Sequence, residues 1–120
     1  FIIIPNLFGN GLSSSPSNSS VTPFPAISYH DAVAVQHRLL VEQFGISKIA
    51  LVYGWSMGGM QAYHWAVGYP DMVERAAVVC GSGYRSGIAA AILARHGLAK
   101  LANVQGGMTA WNAASLPGRL

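Results

Sequence analysis

Short apolar runs alternate with segments of helical character along the whole chain. Four runs of apolar and β-branched residues predict strands, and each is followed by a segment with helical spacing or helix-capping residues. This alternation is typical of a parallel sheet covered by helices on both faces. The pattern therefore predicts an α/β fold, a three-layer sandwich with a small, mostly parallel four-stranded sheet, with strands at residues 1–4, 49–53, 76–79 and 101–104.

Capping residues mark where the helices begin and end. Ser28 followed three residues later by Asp31 predicts a capping box, and Gly45 predicts the end of the same helix. Between the strand predicted at the N-terminus and this helix lies a turn-rich stretch of Ser, Pro and Gly, which predicts a surface loop. Further helices are predicted after a tight turn at residues 54–59, over residues 86–96 and around residues 109–113.

Composition narrows the class of protein. With 120 residues, of which 52% are hydrophobic and 9% charged, the chain is expected to form a single α/β domain over residues 1–120. The net charge of +3 is scattered, which predicts no nucleic-acid or membrane surface. One cysteine allows no intrachain disulfide, and the four histidines lack zinc-ligand spacing. We expect a small-molecule substrate, no metal or cofactor and a cytoplasmic location, and leave an oligomeric state open.

The first candidate nucleophile is Ser56, in a G-x-S-x-G turn that begins at Gly54. Such a turn between a strand and a helix lifts the serine clear of the sheet, and the next N–H, that of Met57, can face a developing oxyanion. Serine needs a base within hydrogen-bond reach. His64 lies two helical turns further on and His96 ends another helix, so neither is expected to be that base, and the triad histidine and acid are not identified.

Other segments accompany this turn in residues 1–79. They are residues 5–13, 30–40, 54–61, 65–66 and 69–73. Together they resemble the α/β-hydrolase superfamily, in particular its homoserine O-acetyltransferase-like branch. The resemblance implies acyl transfer or ester hydrolysis through Ser56, and the strands that precede the first one here, together with the second oxyanion donor, have no counterpart in this sequence.

The second candidate nucleophile is Cys80, which follows the third predicted strand. It opens a C-x-x-G-x-R loop whose successive N–H groups can curl around the sulfur, at the positive end of the next helix. Arg85 adds a full charge, and we expect the thiolate to be favoured. A tyrosine-phosphatase loop would place the arginine one residue later, so the spacing argues against a phosphatase. The anion-binding residues of the loop are Gly81, Ser82, Gly83, Tyr84, Arg85 and Ser86.

The loop is followed by Gly106, Gly107 and Met108, then by Trp111 and a Leu-Pro pair at residues 116–117. With this tail, residues 78–120 resemble the C-terminal half of a rhodanese domain. The resemblance implies sulfur transfer through a persulfide on Cys80, while the first half of a rhodanese is replaced by hydrolase-like sequence over residues 1–79.

The sequence thus leads to three hypotheses. The main interpretation is rhodanese-like sulfur transfer through Cys80, on a scaffold partly derived from an α/β-hydrolase and joined at residues 78–80. The first alternative is an acyltransferase or ester hydrolase that uses Ser56. The second is a non-catalytic chimera or fragment, for which an exposed, unpaired strand edge would be evidence.

Overall fold

Residues 1–115 of the 120-residue chain are described by a computed structural model. The chain divides into two units, Phe1–Ile46 and Ser47–Leu120. The join expected at residues 78–80 lies inside the second unit, where a strand runs directly into a loop and a helix. That the whole chain acts as one domain stays a prediction.

The first unit begins with an irregular segment, and the strand predicted at residues 1–4 is wrong. Phe1, Ile2 and Ile4 are 100%, 88% and 89% exposed. A strand needs a neighbour to complete its backbone hydrogen bonds, and no sheet among the described residues includes this run. The following loop is organised by Asn18, which accepts from the N–H of Ser15 at 2.8 Å and donates to the carbonyl of Ser13 at 2.9 Å.

Helix α1 spans Tyr29–Arg38 and confirms the predicted capping box. The Asp31 N–H donates to the Ser28 hydroxyl at 3.2 Å, and the Asp31 carboxylate accepts from the Ser28 N–H at 2.9 Å. The helix continues as one wider turn of the π type over Leu39–Gln43. Gly45, with φ +63°, then takes the left-handed conformation that commonly ends a helix.

The second unit contains a parallel sheet of three strands, in the order β1, β2, β3. The strands are β1 Val52–Trp55, β2 Ala76–Val79 and β3 Leu101–Asn103. The prediction of a parallel sheet is confirmed, and the prediction of four strands is wrong, because only three of the predicted runs pair. The first of these strands begins later than expected, since Ile49 forms only a single bridge, with Val73.

Helices connect and follow these strands: α2 Met57–Gly68, α3 Tyr84–Arg95 and α4 Gly107–Ala113. Because the strands follow one another in sheet order and such crossovers are right-handed, α2 and α3 lie on one face of the sheet and contact each other. The core between them contains Ala66, Ala76 and Leu93, with Tyr63 and Leu101 packed against it. The predicted second helical layer stays a prediction.

The closest approach of helix and strand in this unit is at Gly54, in β1. A Cβ on Gly54 would overlap the Gly58 carbonyl group and the Gly59 nitrogen, all of them backbone atoms of the first turn of α2. Backbone cannot move aside as a flexible side chain can. Gly54 is therefore required for α2 to start directly against the end of β1.

We expect Gly54→Ala to lower the free energy of unfolding by about 3 kcal/mol, because the added methyl group forces strand and helix apart. Urea unfolding followed by circular dichroism measures this. Gly68→Ala is the matched control, since a Cβ there meets no atom within 4 Å at the end of the same helix. The control should be neutral or gain less than about 1 kcal/mol, and equal effects of the two substitutions would contradict the account.

Candidate functional site

The two candidate nucleophiles follow neighbouring strands that end at the same edge of the sheet. Trp55 is paired with Val79 at the carboxyl ends of β1 and β2, and Ser56 and Cys80 are the next residues. The N–H of Ser56 donates to the carbonyl of Val79 at 3.2 Å, which extends the pairing by one more residue. Ligands of open parallel sheets bind at the carboxyl ends of the strands, and the fold brings both nucleophiles to that edge.

Ser56 has a strained backbone, with φ 54° and ψ −119°. Few residues other than glycine adopt a positive φ, and such a conformation costs about 1–3 kcal/mol unless its surroundings enforce it. Here they do: the Ser56 N–H is bonded to β2, while its carbonyl accepts from the N–H of Gly59 at 3.0 Å. The residue is exposed. This is the geometry expected for the nucleophile of a strand–turn–helix elbow.

Met57 is the first residue of α2, so its N–H has no carbonyl one turn earlier in the helix to bond. That leaves the N–H without a partner inside the helix, and its role in stabilising an oxyanion formed on Ser56 stays a prediction. The second unit contains two histidines in its described part, His64 on α2 and His96 at the end of α3. His64 lies two helical turns beyond Ser56 on α2, with its ring edge-on to that of Tyr63, and His96 follows the last residue of α3.

The sulfur of Cys80 is enclosed by hydrogen-bond donors. Gly83 donates its N–H to Sγ at 3.1 Å, and the Ser86 hydroxyl donates at 3.3 Å. Hydrogen bonding from the Ser86 hydroxyl and N–H, and from the N–H groups of Ser82 and Gly83, lowers the pKa of Cys80 to about 6, although burial acts in the opposite direction. The thiolate is the reactive form of cysteine, and it is the major form of Cys80 at neutral pH.

The rest of the predicted loop divides into buried and exposed parts. Gly83 and Ser86 are buried, while Gly81, Ser82, Tyr84 and Arg85 are exposed, Tyr84 to 74%. The groups that lower the pKa of Cys80 are backbone N–H groups and a hydroxyl, and Arg85 is not among them. A role for Arg85 in binding an anionic substrate stays a prediction.

A second loop, distant in sequence, lies against the cysteine loop. A Cβ on Gly83 would lie only 2.7 Å from the Gly106 nitrogen, and one on Gly107 would overlap the carbonyl of Cys80. Gly83 and Gly106 both have positive φ, +80° and +71°. Glycine is required at these positions because the two loops touch backbone to backbone in conformations that L side chains disfavour.

Three residues of β3 and α4 tie these loops together. Met108 donates its N–H to the Cys80 carbonyl at 3.1 Å, and Thr109 donates its N–H at 2.9 Å and its hydroxyl at 3.0 Å to the Gly81 carbonyl. Asn103 donates to the Gly83 carbonyl at 3.4 Å. No sequence pattern marked Thr109 as part of the site; the Gly106–Gly107 pair that precedes it was the available signal.

No cluster of three or more histidine, cysteine or acidic side chains that could hold a metal ion is found within residues 1–115. Among the same residues, no helix combines the length and the apolar character needed to cross a membrane. The expectations of no metal, no cofactor and a cytoplasmic location stay predictions.

Comparison with known proteins assigns the family. The model of the α/β hydrolase fold matches residues 1–120. The chain belongs to the α/β hydrolase family. This α/β hydrolase chain is 49% identical over 89 residues to the ethyl acetate hydrolase of Pseudomonas veronii, covering 71% of the chain. It is 38% identical over 118 residues to a homoserine O-acetyltransferase of Solidesulfovibrio magneticus, covering 89% of the chain.

Among solved structures, the α/β hydrolase chain is similar to an acetylester hydrolase from Corynebacterium glutamicum. The TM-score is 0.59 at 42% identity over 65% of the chain. The chain spans about a quarter of the length of these relatives: 26% of the ethyl acetate hydrolase, 29% of the acetyltransferase and 24% of the acetylester hydrolase.

The family match includes residues 80–120, which the sequence analysis assigned to a rhodanese half-domain. The hydrolase resemblance is therefore confirmed, and the rhodanese resemblance stays an interpretation of the sequence. Part of the tail on which it depends, at residues 116–117, lies outside the described residues.

Proposed function

We propose that this chain carries the nucleophile of an acyl-transfer or ester-hydrolysis reaction, and that the nucleophile is Ser56. The observation that carries the proposal is the strained, exposed backbone of Ser56 between β1 and α2. The names of the relatives support it, since they describe ethyl acetate hydrolysis and O-acetyl transfer. Sulfur transfer, which the sequence patterns favoured, takes second place for this reason.

In the proposed reaction the Ser56 oxygen attacks the carbonyl carbon of a small ester. A C–O bond forms, the hydroxyl proton passes to a base, and the carbonyl oxygen becomes an oxyanion that the Met57 N–H can stabilise. Collapse of this intermediate breaks the bond to the alcohol and leaves an acyl group on Ser56. Water or an acceptor hydroxyl then removes the acyl group.

No base for Ser56 is assigned within residues 1–115. His64 lies two helical turns beyond Ser56 and His96 follows the end of α3, and a serine hydroxyl without a base is a weak nucleophile. We therefore propose that the 120-residue chain accepts an acyl group slowly from an activated ester and turns over poorly, because binding and oxyanion stabilisation alone leave only a fraction of the usual rate.

The test is to incubate the chain with p-nitrophenyl acetate and to locate the acetyl group by mass spectrometry. Trypsin separates the two candidate nucleophiles, because cleavage after Lys48, Arg75 and Arg85 places Ser56 in the peptide 49–75 and Cys80 in the peptide 76–85. We expect acetylation of the peptide 49–75. It should vanish in Ser56→Ala and persist in Cys80→Ser.

The proposal for Ser56 would be overturned if the acetyl group were found only on the peptide 76–85. It would also be overturned if wild type and Cys80→Ser carried no acetyl group. A matched control is Ser82→Ala, which removes an exposed hydroxyl from the neighbouring loop. It should leave acetylation of the peptide 49–75 unchanged.

A second candidate function is supported by the surroundings of Cys80. Its thiolate is held by donors from Gly83 and Ser86 without any separate base. We propose that it can attack the outer sulfur of thiosulfate, so that the S–S bond of the donor breaks, sulfite leaves and a persulfide forms on Cys80. Charge and atoms balance in this step, and no proton transfer is needed.

Incubation with thiosulfate should add one sulfur atom to the peptide 76–85 and protect Sγ of Cys80 from direct alkylation, because iodoacetamide then reacts with the outer sulfur of the persulfide. Because the pKa of Cys80 is lowered to about 6, both effects should be present at pH 7 and fade as the pH falls below about 6. Cys80→Ser should show neither. A thiol that reacts only near the usual pKa of about 8.5, without protection, would refute this function. If thiosulfate formed no persulfide and p-nitrophenyl acetate left no acetyl group, the hypothesis of a non-catalytic chimera or fragment would remain.

A further inference from the structure

The peptide group between Gly81 and Ser82 connects the second loop to the Cys80 sulfur. Its carbonyl accepts from both the N–H and the hydroxyl of Thr109, at 2.9 and 3.0 Å. It precedes by one residue the Gly83 N–H, which donates to Sγ of Cys80 at 3.1 Å. A peptide group is planar, so the bonds that hold the Gly81 carbonyl fix the orientation of the whole group, and with it the start of the turn that carries the Gly83 N–H.

We propose that Thr109 is a positioning residue for Cys80: by holding the Gly81 carbonyl, it fixes the turn that aims the Gly83 N–H at the sulfur. The inference rests on the second candidate function, because it concerns the thiolate of Cys80. Thr109 does not donate to the sulfur and acts only through the intervening backbone. Of the side chains that bond the carbonyls of this loop, Thr109 contributes the shortest bond, 3.0 Å against 3.3 Å for Ser86 and 3.4 Å for Asn103.

Two further backbone hydrogen bonds hold the neighbouring carbonyls of the cysteine loop. Met108 holds the carbonyl of Cys80, and Gly87 donates its N–H to the carbonyl of Gly83 at 3.0 Å. The carbonyls of Cys80, Gly81 and Gly83 thus each accept a bond from a group outside the loop, while the Gly83 N–H donates to the sulfur. Loss of the bond from the Thr109 hydroxyl should therefore let the Gly83 N–H turn away from the sulfur.

The effect proposed for Thr109 depends on the orientation of a backbone N–H group near the sulfur and not on an added charge. Helix α4, β2 and β3 carry no titratable side chain. The titratable groups on the neighbouring elements are Tyr53 in β1, Tyr63 and His64 in α2, and Tyr84, Arg85 and Arg95 in α3. A substitution at Thr109 leaves all of these in place, so their titration is common to the proteins compared.

The experiment measures the rate of iodoacetamide alkylation between pH 4.5 and 9.5. Cys80 is the only cysteine in the sequence, so the rate reports one thiol. Thr109→Val keeps the shape and the N–H bond and removes the hydroxyl bond. We expect it to raise the apparent pKa of Cys80 by roughly half a unit, which slows alkylation below the pKa about threefold. Thr109→Ser should restore most of the wild-type profile.

Two comparisons separate positioning from a general loss of structure. Thr22→Val makes the same change at the other threonine of the chain and should leave the profile unchanged. Ser86→Ala removes the hydroxyl that donates to Sγ directly and should raise the apparent pKa. The rate at the high-pH plateau should be equal in Thr109→Val and wild type, because the substitution changes the thiolate fraction and not access to the sulfur.

The proposal is overturned if the Thr109→Val profile matches that of wild type, or if Thr109→Ser shifts it as far as Thr109→Val does. It is also overturned if wild-type Cys80 titrates as a free thiol, since there is then no lowered pKa to maintain. Failure of sulfur transfer is recognised separately: thiosulfate then forms no persulfide, while alkylation still shows a low apparent pKa that depends on Thr109.

Discussion

The parallel pairing of β1 with β2 determines where both candidate nucleophiles of this chain are located. The register that pairs Trp55 with Val79 is extended by the hydrogen bond from the Ser56 N–H to the Val79 carbonyl. Because the strands end together, each following residue starts a loop at the same edge of the sheet. A shift by one residue would separate Ser56 from Cys80 and would also turn every side chain of β1 to the opposite face.

The two nucleophiles depend on their surroundings in different ways. Ser56 is held by backbone constraints, of which the approach of α2 to Gly54 is the tightest, but its hydroxyl needs a base that His64 and His96 do not supply. Cys80 obtains its reactive form from hydrogen bonds alone. The α/β hydrolase family and its ester-hydrolysing relatives favour Ser56, whereas the completeness of the local geometry favours Cys80. One sheet edge thus presents two candidate nucleophiles, Ser56 and Cys80, whose surroundings support different reactions.

Features that depend on residues close in sequence could be predicted, and those that depend on distant pairing could not. The Ser28–Asp31 capping box and the turn around Ser56 are local, and both take the expected form. The apolar run at residues 1–4 looked like a strand, yet a strand exists only where a partner pairs with it. The bond from Thr109 to Gly81 joins residues 28 apart, so only the folded chain brings them together. The low pKa of Cys80 has its largest cause in the Ser86 hydroxyl and is lowered further by backbone N–H groups, and the role predicted for Arg85 stays a prediction.

The adjacency of the two nucleophiles can be measured directly with the Ser56→Cys variant, which carries two thiols. Neighbouring strands lie about 4.8 Å apart, so a short bifunctional thiol reagent such as dibromobimane should link position 56 to Cys80 within one molecule. Mass spectrometry after trypsin digestion should then find the peptides 49–75 and 76–85 joined through the reagent. Peptides that each carry the reagent singly, with no joined species at any ratio of reagent to protein, would contradict the shared edge on which this account depends.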